Sequence, residues 1–197
     1  MDTKTFFDNA SEYWDEKIYH DKSQITRFLS EIDFSNKQKI LDVGTGTGIM
    51  LNYILPKVSQ NTSIIAVDLS SKMIEKAREK FTDQRVIFKN LDVERDYIED
   101  DFDLILLYSV FPHLEKKDKA LKRFSKSLNP GGLICIMHSK SREEINNMHT
   151  KLGEPVSNHF LPQIEDLENM AIDNNFKVLK SISDEKGYFF LAKANIT

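Results

Sequence analysis

The sequence predicts an α/β fold in which a doubly wound, mostly parallel sheet is covered by helices and preceded by an N-terminal helical cap. Short apolar runs rich in β-branched residues alternate with stretches of helical periodicity through the middle of the chain. A turn with three glycines separates the first of these runs from the helix after it. Two last strand-like runs are joined by a short polar turn, which predicts an antiparallel hairpin.

The expected elements follow from these patterns in chain order. Strands are expected at 40–43, 63–68, 85–89, 102–108, 133–137, 176–183 and 187–194. Helical patterns cover 3–20, 21–32, 49–57, 73–81, 114–128, 141–152 and 163–174. The sequence Asn129-Pro-Gly-Gly132 is expected to form a turn that ends one helix before the fifth strand begins.

Length and composition indicate one globular domain. We expect a single domain over 1–197, with the cap at 1–35 and the sheet-containing core at 36–197. Apolar residues make up 40% of the chain and charged residues 29%, and no apolar run is long enough to cross a bilayer. We therefore expect no membrane association and, since no secretory signal is visible, a cytoplasmic location.

Charge and cysteine content narrow the classes of function. The net charge of −4 and the pI near 5.8 make broad affinity for nucleic acid unfavourable, so a small molecule or a protein is the expected partner. The single cysteine, Cys135, lies in an apolar run and can form neither an intrachain disulfide nor a thiolate metal site. We interpret it as a core residue.

The glycine turn has the spacing G-x-G-x-G, formed by Gly44, Gly46 and Gly48. A dinucleotide-binding fingerprint would require glycine at position 49, which is Ile49, and no Walker sequence follows, so neither ATP nor GTP is favoured. Bare main chain at the start of a helix suits a polar or anionic group. The turn therefore predicts a nucleotide-like cofactor, with an ordinary structural turn as the alternative.

Two acidic residues follow neighbouring strands of the predicted sheet. Asp68 ends the second strand, where a carboxylate can accept hydrogen bonds from ribose hydroxyls, although it could instead cap the next helix. Asp92 follows the third strand and could accept a hydrogen bond from an adenine amine, or lie in solvent. Ligands of such sheets bind where the winding direction reverses, here expected between the first and fourth strands.

These motifs occur in a recognisable order. The pattern D-x-G-x-G-x-G from Asp42 to Gly48 is followed by the two acids, by Asp103 at the start of the fourth strand, and by the turn that ends at Gly132. The order resembles that of the class I S-adenosylmethionine-dependent methyltransferases over roughly residues 36 to 140 and, more loosely, over the final hairpin. The resemblance implies a seven-stranded sheet whose last strand is antiparallel, and S-adenosyl-L-methionine as the cofactor.

The resemblance also implies roles for individual residues. The glycine turn would lie against the methionine part of the cofactor, Asp42 would assist its ammonium, Asp68 would hold the ribose, and Asp92 would meet the adenine. The cofactor-binding residues that we expect are Asp42, Gly44, Thr45, Gly46, Gly48, Asp68, Leu69, Met73, Asp92, Val93 and Tyr108.

Methyl transfer is an in-line displacement, so the protein contributes orientation, exclusion of water and in some cases a base. His138 is our first candidate for the base and His113 the second, with Tyr108 close to the cofactor as a third catalytic candidate. Together with His149 and His159, they could bring four histidines to one rim. A His-rich metal site or imidazoles scattered by chance are the other readings, and we predict no metal.

The N-terminal aromatic residues allow two interpretations, a lid over the site or core packing. They are Phe6, Phe7, Tyr13 and Trp14. The predicted function is methyl transfer to a small-molecule acceptor by a monomer or homodimer. The alternatives are a protein or RNA methyltransferase of the same fold and a non-catalytic module that senses the cofactor or a related nucleoside. The sequence does not identify the acceptor atom.

Overall fold

The structure is a computed structural model, and it describes residues 1–98 and 101–195. Within them, seven strands form one sheet in the order β3-β2-β1-β4-β5-β7-β6. The strands are β1 (Lys39–Val43), β2 (Ser63–Asp68), β3 (Val86–Asn90), β4 (Phe102–Tyr108), β5 (Leu128–His138), β6 (Phe176–Asp184) and β7 (Gly187–Ala194). This arrangement confirms the predicted seven-stranded sheet.

Helices connect and flank the strands. The α-helices are α1 (Thr3–Ala10), α2 (Trp14–Lys17), α3 (Lys22–Leu29), α4 (Leu51–Ile54), α5 (Ser71–Lys80), α6 (Lys117–Ser127), α7 (Arg142–Leu152) and α8 (Ile164–Asp173). Short 3-10 turns lie at Ser11–Tyr13, Leu55–Lys57 and Phe111–His113. Among the described residues, no helix is both long and apolar enough to cross a membrane.

The strand directions match the predicted doubly wound topology. β1 pairs in parallel with both β2 and β4, so the winding direction reverses between β1 and β4 as expected. β3 and β5 extend the parallel part on the two sides. β7 lies antiparallel between β5 and β6, which confirms the antiparallel last strand. The carboxyl ends of β1, β2, β3 and β4 therefore meet at one edge of the sheet.

Alternation along the strands creates a core on each face of the sheet. In β1, Ile40 packs with α3 and α4 on one face, while Leu41 belongs to the cluster that includes α6 and α8 on the other. The same alternation in β5 sends Cys135 to the first cluster and Ile134 to the second. Cys135 is fully buried, as the sequence indicated.

Side-chain caps explain where several helices begin. Asp21 accepts hydrogen bonds from the backbone N–H groups of Ser23 and Gln24 and thereby starts α3. Ser70 caps α5, and Ser141 forms a capping box with Glu144 at the start of α7. These polar residues satisfy N–H groups that have no partner within their own helix.

Several predicted boundaries were wrong. The segment Asn129–Gly132 is part of β5 and forms an irregularity in it, because the pairing with β4 shifts register between Phe102 and Leu104. Helix α6 begins at Lys117 rather than at Leu114, and a 3-10 turn at Phe111–His113 lies before the three non-helical residues that precede it. The expected helical segment at 3–20 is broken into three short helical pieces.

Candidate functional site

The turn after β1 exposes its main chain. Gly44, Gly46 and Gly48 have φ angles of +65°, +55° and +90°, which disfavour a side chain. A Cβ on Gly44 would lie 2.4 Å from Val110 Cγ2, so this position also lacks space for one. A Cβ on Gly46 would meet Trp14 Nε1 at 3.7 Å, an ordinary contact distance. Gly46 therefore presents bare backbone to an open cavity at the carboxyl edge of the sheet.

Asp68 holds this turn in place. Its Oδ2 accepts a hydrogen bond from the Gly46 N–H at 2.9 Å, and its Oδ1 accepts one from the Ser70 N–H at 2.8 Å. Burial raises the pKa of Asp68 to about 6, while the two N–H donors favour the ionised carboxylate. Each carboxylate oxygen can accept more than one hydrogen bond, so Asp68 keeps acceptor capacity toward the cavity that it borders.

Asp92 borders the same cavity from the loop after β3. Its Oδ1 accepts a hydrogen bond from the Glu94 N–H at 2.9 Å, and its Oδ2 lies 3.4 Å from Arg95 Nη1. The Asp92 N–H donates to Asp96 Oδ2 at 2.8 Å. These local contacts fix the loop that carries the carboxylate.

Asp42 lies beneath the turn and does not border the cavity. Its side chain is 1% exposed, and its Oδ2 accepts a hydrogen bond from Thr45 Oγ1 at 2.7 Å. Burial raises the pKa of Asp42 to about 7. The structure thus places Asp42 where it supports the turn through Thr45.

We call the space between the glycine turn, Asp68 and Asp92 the cofactor cavity. All the predicted cofactor-binding residues except Asp42 and Gly48 border it, namely Gly44, Thr45, Gly46, Asp68, Leu69, Met73, Asp92, Val93 and Tyr108. Its volume is about 110 Å³, less than the roughly 300–1,000 Å³ of ordinary small-molecule sites. Residues of the N-terminal segment 1–20 close it, and they include Thr3, Phe7, Trp14 and His20.

Polar contacts fasten the N-terminal segment to the sheet domain. Asp15 accepts a hydrogen bond from Thr47 Oγ1 at 2.6 Å and pairs with Lys80 at 2.7 Å. Glu12 lies 3.5 Å from Lys76, which belongs to α5 as Lys80 does. No residue of α1 is buried, so polar contacts such as these contribute to holding the segment down. The aromatic side chains thus border the site, as the lid interpretation requires.

A second, larger cavity of about 370 Å³ adjoins the first, and we call it the acceptor cavity. The two cavities share a wall formed by Phe7, Trp14, His20, Tyr108, Ser109 and His113. Helix α7 closes the far side with Ile145, Met148 and His149. The predicted catalytic candidates Tyr108, His113 and His138 all border this cavity.

Tyr108 is the centre of a hydrogen-bond chain in the shared wall. Its hydroxyl lies 2.8 Å from His20 Nδ1 and 2.9 Å from Ser139 Oγ. Burial raises the pKa of Tyr108 to about 12, so the phenol remains protonated. Sequence reasoning missed His20 and Ser139. The one available signal was the position of His20 between the aromatic segment and the helix-capping Asp21.

Three histidines lie against one another beside this wall. The rings of His113 and His149 are 4.8 Å apart, and His113 Nδ1 shares a hydrogen bond of 3.0 Å with His159 Nδ1. His149 Nδ1 donates to the His159 carbonyl. Burial lowers the pKa of all three, so the neutral imidazoles predominate near pH 7. Among residues 1–98 and 101–195, no group of three or more His, Cys, Asp or Glu is placed to hold a metal ion.

His138 is buried at the end of β5 with 1% of its surface exposed. Neither ring nitrogen has a hydrogen-bond partner among the described residues, and the same is true of the nearby Tyr188 hydroxyl. Burial lowers the pKa of His138 to about 3, so its imidazole is neutral and a weak base in this state. His138 therefore borders the acceptor cavity with a ring whose buried nitrogens have no hydrogen-bond partner among the described residues.

The fold and the site together define a class of protein. A doubly wound sheet with a bare glycine turn and acids after β2 and β3 is a nucleoside-binding domain, and its cavity leads to a second, mainly apolar one. Open backbone at Gly46 and the remaining acceptor capacity of Asp68 fit an adenosyl group.

Comparisons with known proteins identify the family. The family model described as a methyltransferase domain matches residues 41–134. Malonyl-[acyl-carrier protein] O-methyltransferase of Priestia megaterium is 33% identical over 136 residues, which are 68% of this chain and 49% of that protein. Phosphoethanolamine N-methyltransferase of Plasmodium falciparum is 29% identical over 202 residues, covering 92% of this chain and 74% of that protein.

The fold comparison agrees with the sequence comparison. A crystal structure of an S-adenosylmethionine-dependent methyltransferase from Aquifex aeolicus superposes with a TM-score of 0.71 at 20% identity, covering 95% of this chain and 97% of that one. This chain belongs to the class I S-adenosylmethionine-dependent methyltransferases, and S-adenosyl-L-methionine is the cofactor of that family. The chain spans about half the length of the Priestia megaterium relative.

Proposed function

We propose that this protein transfers a methyl group from S-adenosyl-L-methionine to a small molecule bound in the acceptor cavity. The observation that carries the proposal is the pair of adjoining cavities with one shared wall, which contains Tyr108 and His113. The cofactor cavity has the acids and the bare turn that suit an adenosyl compound. The acceptor cavity has a volume typical of small-molecule sites.

In this proposal the main chain of Gly44 and Gly46 lies against the methionine part of the cofactor. Asp68 accepts hydrogen bonds from the ribose, and Asp92 accepts one from the adenine amine. Leu69, Met73 and Val93 provide apolar contacts around the adenosyl group, while Asp42 acts indirectly by fixing Thr45. When bound, S-adenosyl-L-methionine supplies an activated methyl group and a good leaving group on sulfur.

The residues around the acceptor cavity orient the acceptor and exclude water. Neutral His138 borders this cavity with two unpartnered ring nitrogens, and in this proposal the ring turns to hydrogen-bond the acceptor. Tyr108 and His113 lie in the wall between the cavities and would fix the line of approach to the methyl group. A cytoplasmic location, the exclusion of nucleic acid and a monomeric or homodimeric state remain predictions from the sequence.

The experiment that tests this function measures formation of S-adenosylhomocysteine. The protein is incubated with S-adenosyl-L-methionine and a small-molecule metabolite extract, and acceptors are identified by the added mass of one methylene. We expect turnover with the extract that His138→Ala lowers while cofactor affinity stays within twofold. Cofactor binding with no turnover on any extract would instead favour the sensor alternative.

A further inference from the structure

We infer that the acceptor is an apolar compound with an acidic hydroxyl, such as a phenol or an enol, and that its proton leaves through Tyr108 to His20. The inference rests on the proposed function and adds a substrate class and a catalytic residue to it. Three features of the acceptor cavity carry it: its charge, its apolar wall and the hydrogen-bond chain at its boundary.

The charge of the cavity opposes a cationic acceptor. Among the described residues that border it there is no Asp or Glu, whereas Lys17 and Lys140 do border it. Two acids of the N-terminal region are engaged elsewhere. Asp15 pairs with Lys80, and Asp21 caps α3. An ammonium group would therefore lose its hydration without gaining a counter-charge, which is costly.

The wall of the cavity is largely apolar and aromatic. Phe6, Tyr13 and Trp14 face it from the N-terminal segment, and Ile145 and Met148 face it from α7. Such a surface favours a flat or apolar body, because stacking and burial supply the binding free energy. The neutral imidazole of His138 also borders this cavity and adds a polar group to the largely apolar wall.

The hydrogen-bond chain supplies an exit for a proton. Tyr108 borders both cavities, and its hydroxyl can accept a hydrogen bond from an acceptor hydroxyl while it donates to His20 Nδ1, 2.8 Å away. Ser139 Oγ lies 2.9 Å away on the other side of the phenol. His20 is partly exposed, so the ring can pass the proton to solvent.

The charged groups near the His20 ring act in opposite directions. Asp15 favours the imidazolium, and Lys80 and Lys140 oppose it. Burial is the largest influence and lowers the pKa of His20. The imidazole is therefore unprotonated and able to accept a proton near pH 7.

The step is balanced within the proposed reaction. The acceptor oxygen forms a bond to the methyl carbon as the bond from that carbon to sulfur breaks, and the electron pair of the broken bond stays on sulfur. The hydroxyl proton passes to the Tyr108 oxygen as the Tyr108 proton passes to His20 Nδ1. The products are the methyl ether, a neutral thioether and an imidazolium that releases its proton to solvent.

The first test measures substrate class by calorimetry. Protein saturated with S-adenosylhomocysteine is titrated with 2-naphthol and with 2-naphthylmethylamine, which have similar apolar bodies but differ in charge. We expect 2-naphthol to bind at least about ten times more tightly. Equal or tighter binding of the ammonium compound would overturn the substrate class, as would failure of both to bind. Failure of S-adenosylhomocysteine itself to bind would contradict the proposed function instead.

The second test measures the proton path by absorbance, because naphthol and naphtholate have different spectra. We expect bound 2-naphthol to ionise at a pH at least about one unit lower in wild type than in His20→Asn. The asparagine keeps a hydrogen-bond acceptor for Tyr108 but takes no proton, so affinity for naphthol should stay within twofold. Tyr108→Phe should raise the ionisation pH of bound 2-naphthol by the same amount as His20→Asn does.

Tyr97→Phe is the matched control, because Tyr97 is 75% exposed and borders neither cavity. In Tyr97→Phe, bound 2-naphthol should ionise at the same pH as in wild type. The same ionisation pH in wild type, His20→Asn and Tyr108→Phe would exclude His20 as the proton acceptor.

Discussion

At the scale of single residues, Asp42 shows how a carboxyl group can support the glycine turn without bordering the cavity beside it. The side chain is buried under the glycine turn and receives the Thr45 hydroxyl. Its ionised form is disfavoured by desolvation. The neighbouring Asp68 is shifted in the same direction, and its carboxylate also holds the turn. Two acids thus stabilise one strained segment of main chain.

These shifts predict a specific dependence of stability on pH. The pKa of Asp42 is about 7 in the folded protein and near 3.8 in the unfolded chain, so unfolding releases its proton between these values. Stability from this group is complete below about pH 4 and is lost as pH rises through 7. Asp42→Asn cannot ionise, so the difference in unfolding free energy between this variant and wild type should shift by about 3 kcal/mol in favour of the variant from pH 5 to pH 8.

Urea denaturation at the two pH values measures this gain. Asp103→Asn is the control, because the pKa of Asp103 is lowered below 3.8 by its hydrogen bonds although burial opposes them. The Asp103 carboxyl is ionised in the folded and the unfolded protein from pH 5 to pH 8. Asp103→Asn should therefore lose the same unfolding free energy at both pH values. If Asp42→Asn and Asp103→Asn show the same pH dependence, Asp42 has an ordinary pKa.

At the scale of elements, the N-terminal segment and α5 act as a pair. The cofactor cavity is bordered by Phe7 and Trp14 of this segment, so we expect the segment to shift when a ligand of adenosyl size binds. The ion pairs of Glu12 with Lys76 and of Asp15 with Lys80 oppose that movement. Exposed pairs contribute roughly 0–1 kcal/mol each and weaken as salt rises.

Breaking these pairs should therefore change rates more than stability. We expect Glu12→Gln combined with Asp15→Asn to speed dissociation of S-adenosylhomocysteine by about three- to tenfold, with a smaller salt dependence than wild type. Stopped-flow fluorescence of Trp14, the single tryptophan of the chain, measures the rate. Glu75→Gln breaks an ion pair within α5 and should leave the rate unchanged. A wild-type rate in the double variant would mean that these pairs do not gate the site.

The elements also show what a sequence pattern can predict. The ends of β2 and β4 match the expected strands, because a continuous apolar run bounded by polar residues has a single interpretation in a buried parallel sheet. The segment Asn129–Gly132 misled the prediction, since proline and glycines indicate a turn but also suit an irregular strand.

The candidate site likewise contains residues that the sequence could predict and residues that it could not. Residues that follow their own strands, such as Asp68 and Asp92, could be predicted because the order of strands places them at one edge. The place of His20 in the site could not be predicted, because its contact with Tyr108 joins residues 88 positions apart in the sequence. Such a contact depends on how the N-terminal segment docks, which no local pattern specifies.

At the scale of the whole molecule, the N-terminal and C-terminal regions meet on one face of the sheet. The rings of Phe28 in α3 and Phe189 in β7 stack with centroids 5.0 Å apart, and both side chains are buried. β7 in turn lies between β5 and β6. Helix α3 and the last strand therefore share one packed core, and the single domain over 1–197 stays a prediction from the sequence.

This packing predicts a cooperative loss of stability. Phe189→Ala should lower the unfolding free energy by about 3–5 kcal/mol, because it leaves a cavity between α3 and β7. Urea denaturation followed by circular dichroism and by Trp14 fluorescence should give one shared transition. Ile172→Ala, at a side chain that is 58% exposed, should change stability by less than about 0.5 kcal/mol. Separate transitions for the two signals would contradict a single folding unit.

The two edges of the sheet provide the comparison on which the whole account depends. Asp68 lies at the carboxyl edge beside the glycine turn, whereas Asp103 begins β4 at the opposite edge. Asp103 also accepts two backbone N–H bonds, from Gln38 and Lys39. Replacing either acid with alanine removes similar backbone contacts, but of the two only Asp68 borders the cofactor cavity.

Calorimetric titration of S-adenosylhomocysteine into wild type, Asp68→Ala and Asp103→Ala is the most direct measurement. We expect Asp68→Ala to weaken binding by at least about tenfold, since it loses charge-assisted hydrogen bonds of about 1–2 kcal/mol, and Asp103→Ala to bind as wild type does. Equal affinity in wild type and Asp68→Ala, or equal loss in both variants, would contradict a cofactor held at the carboxyl edge of the sheet.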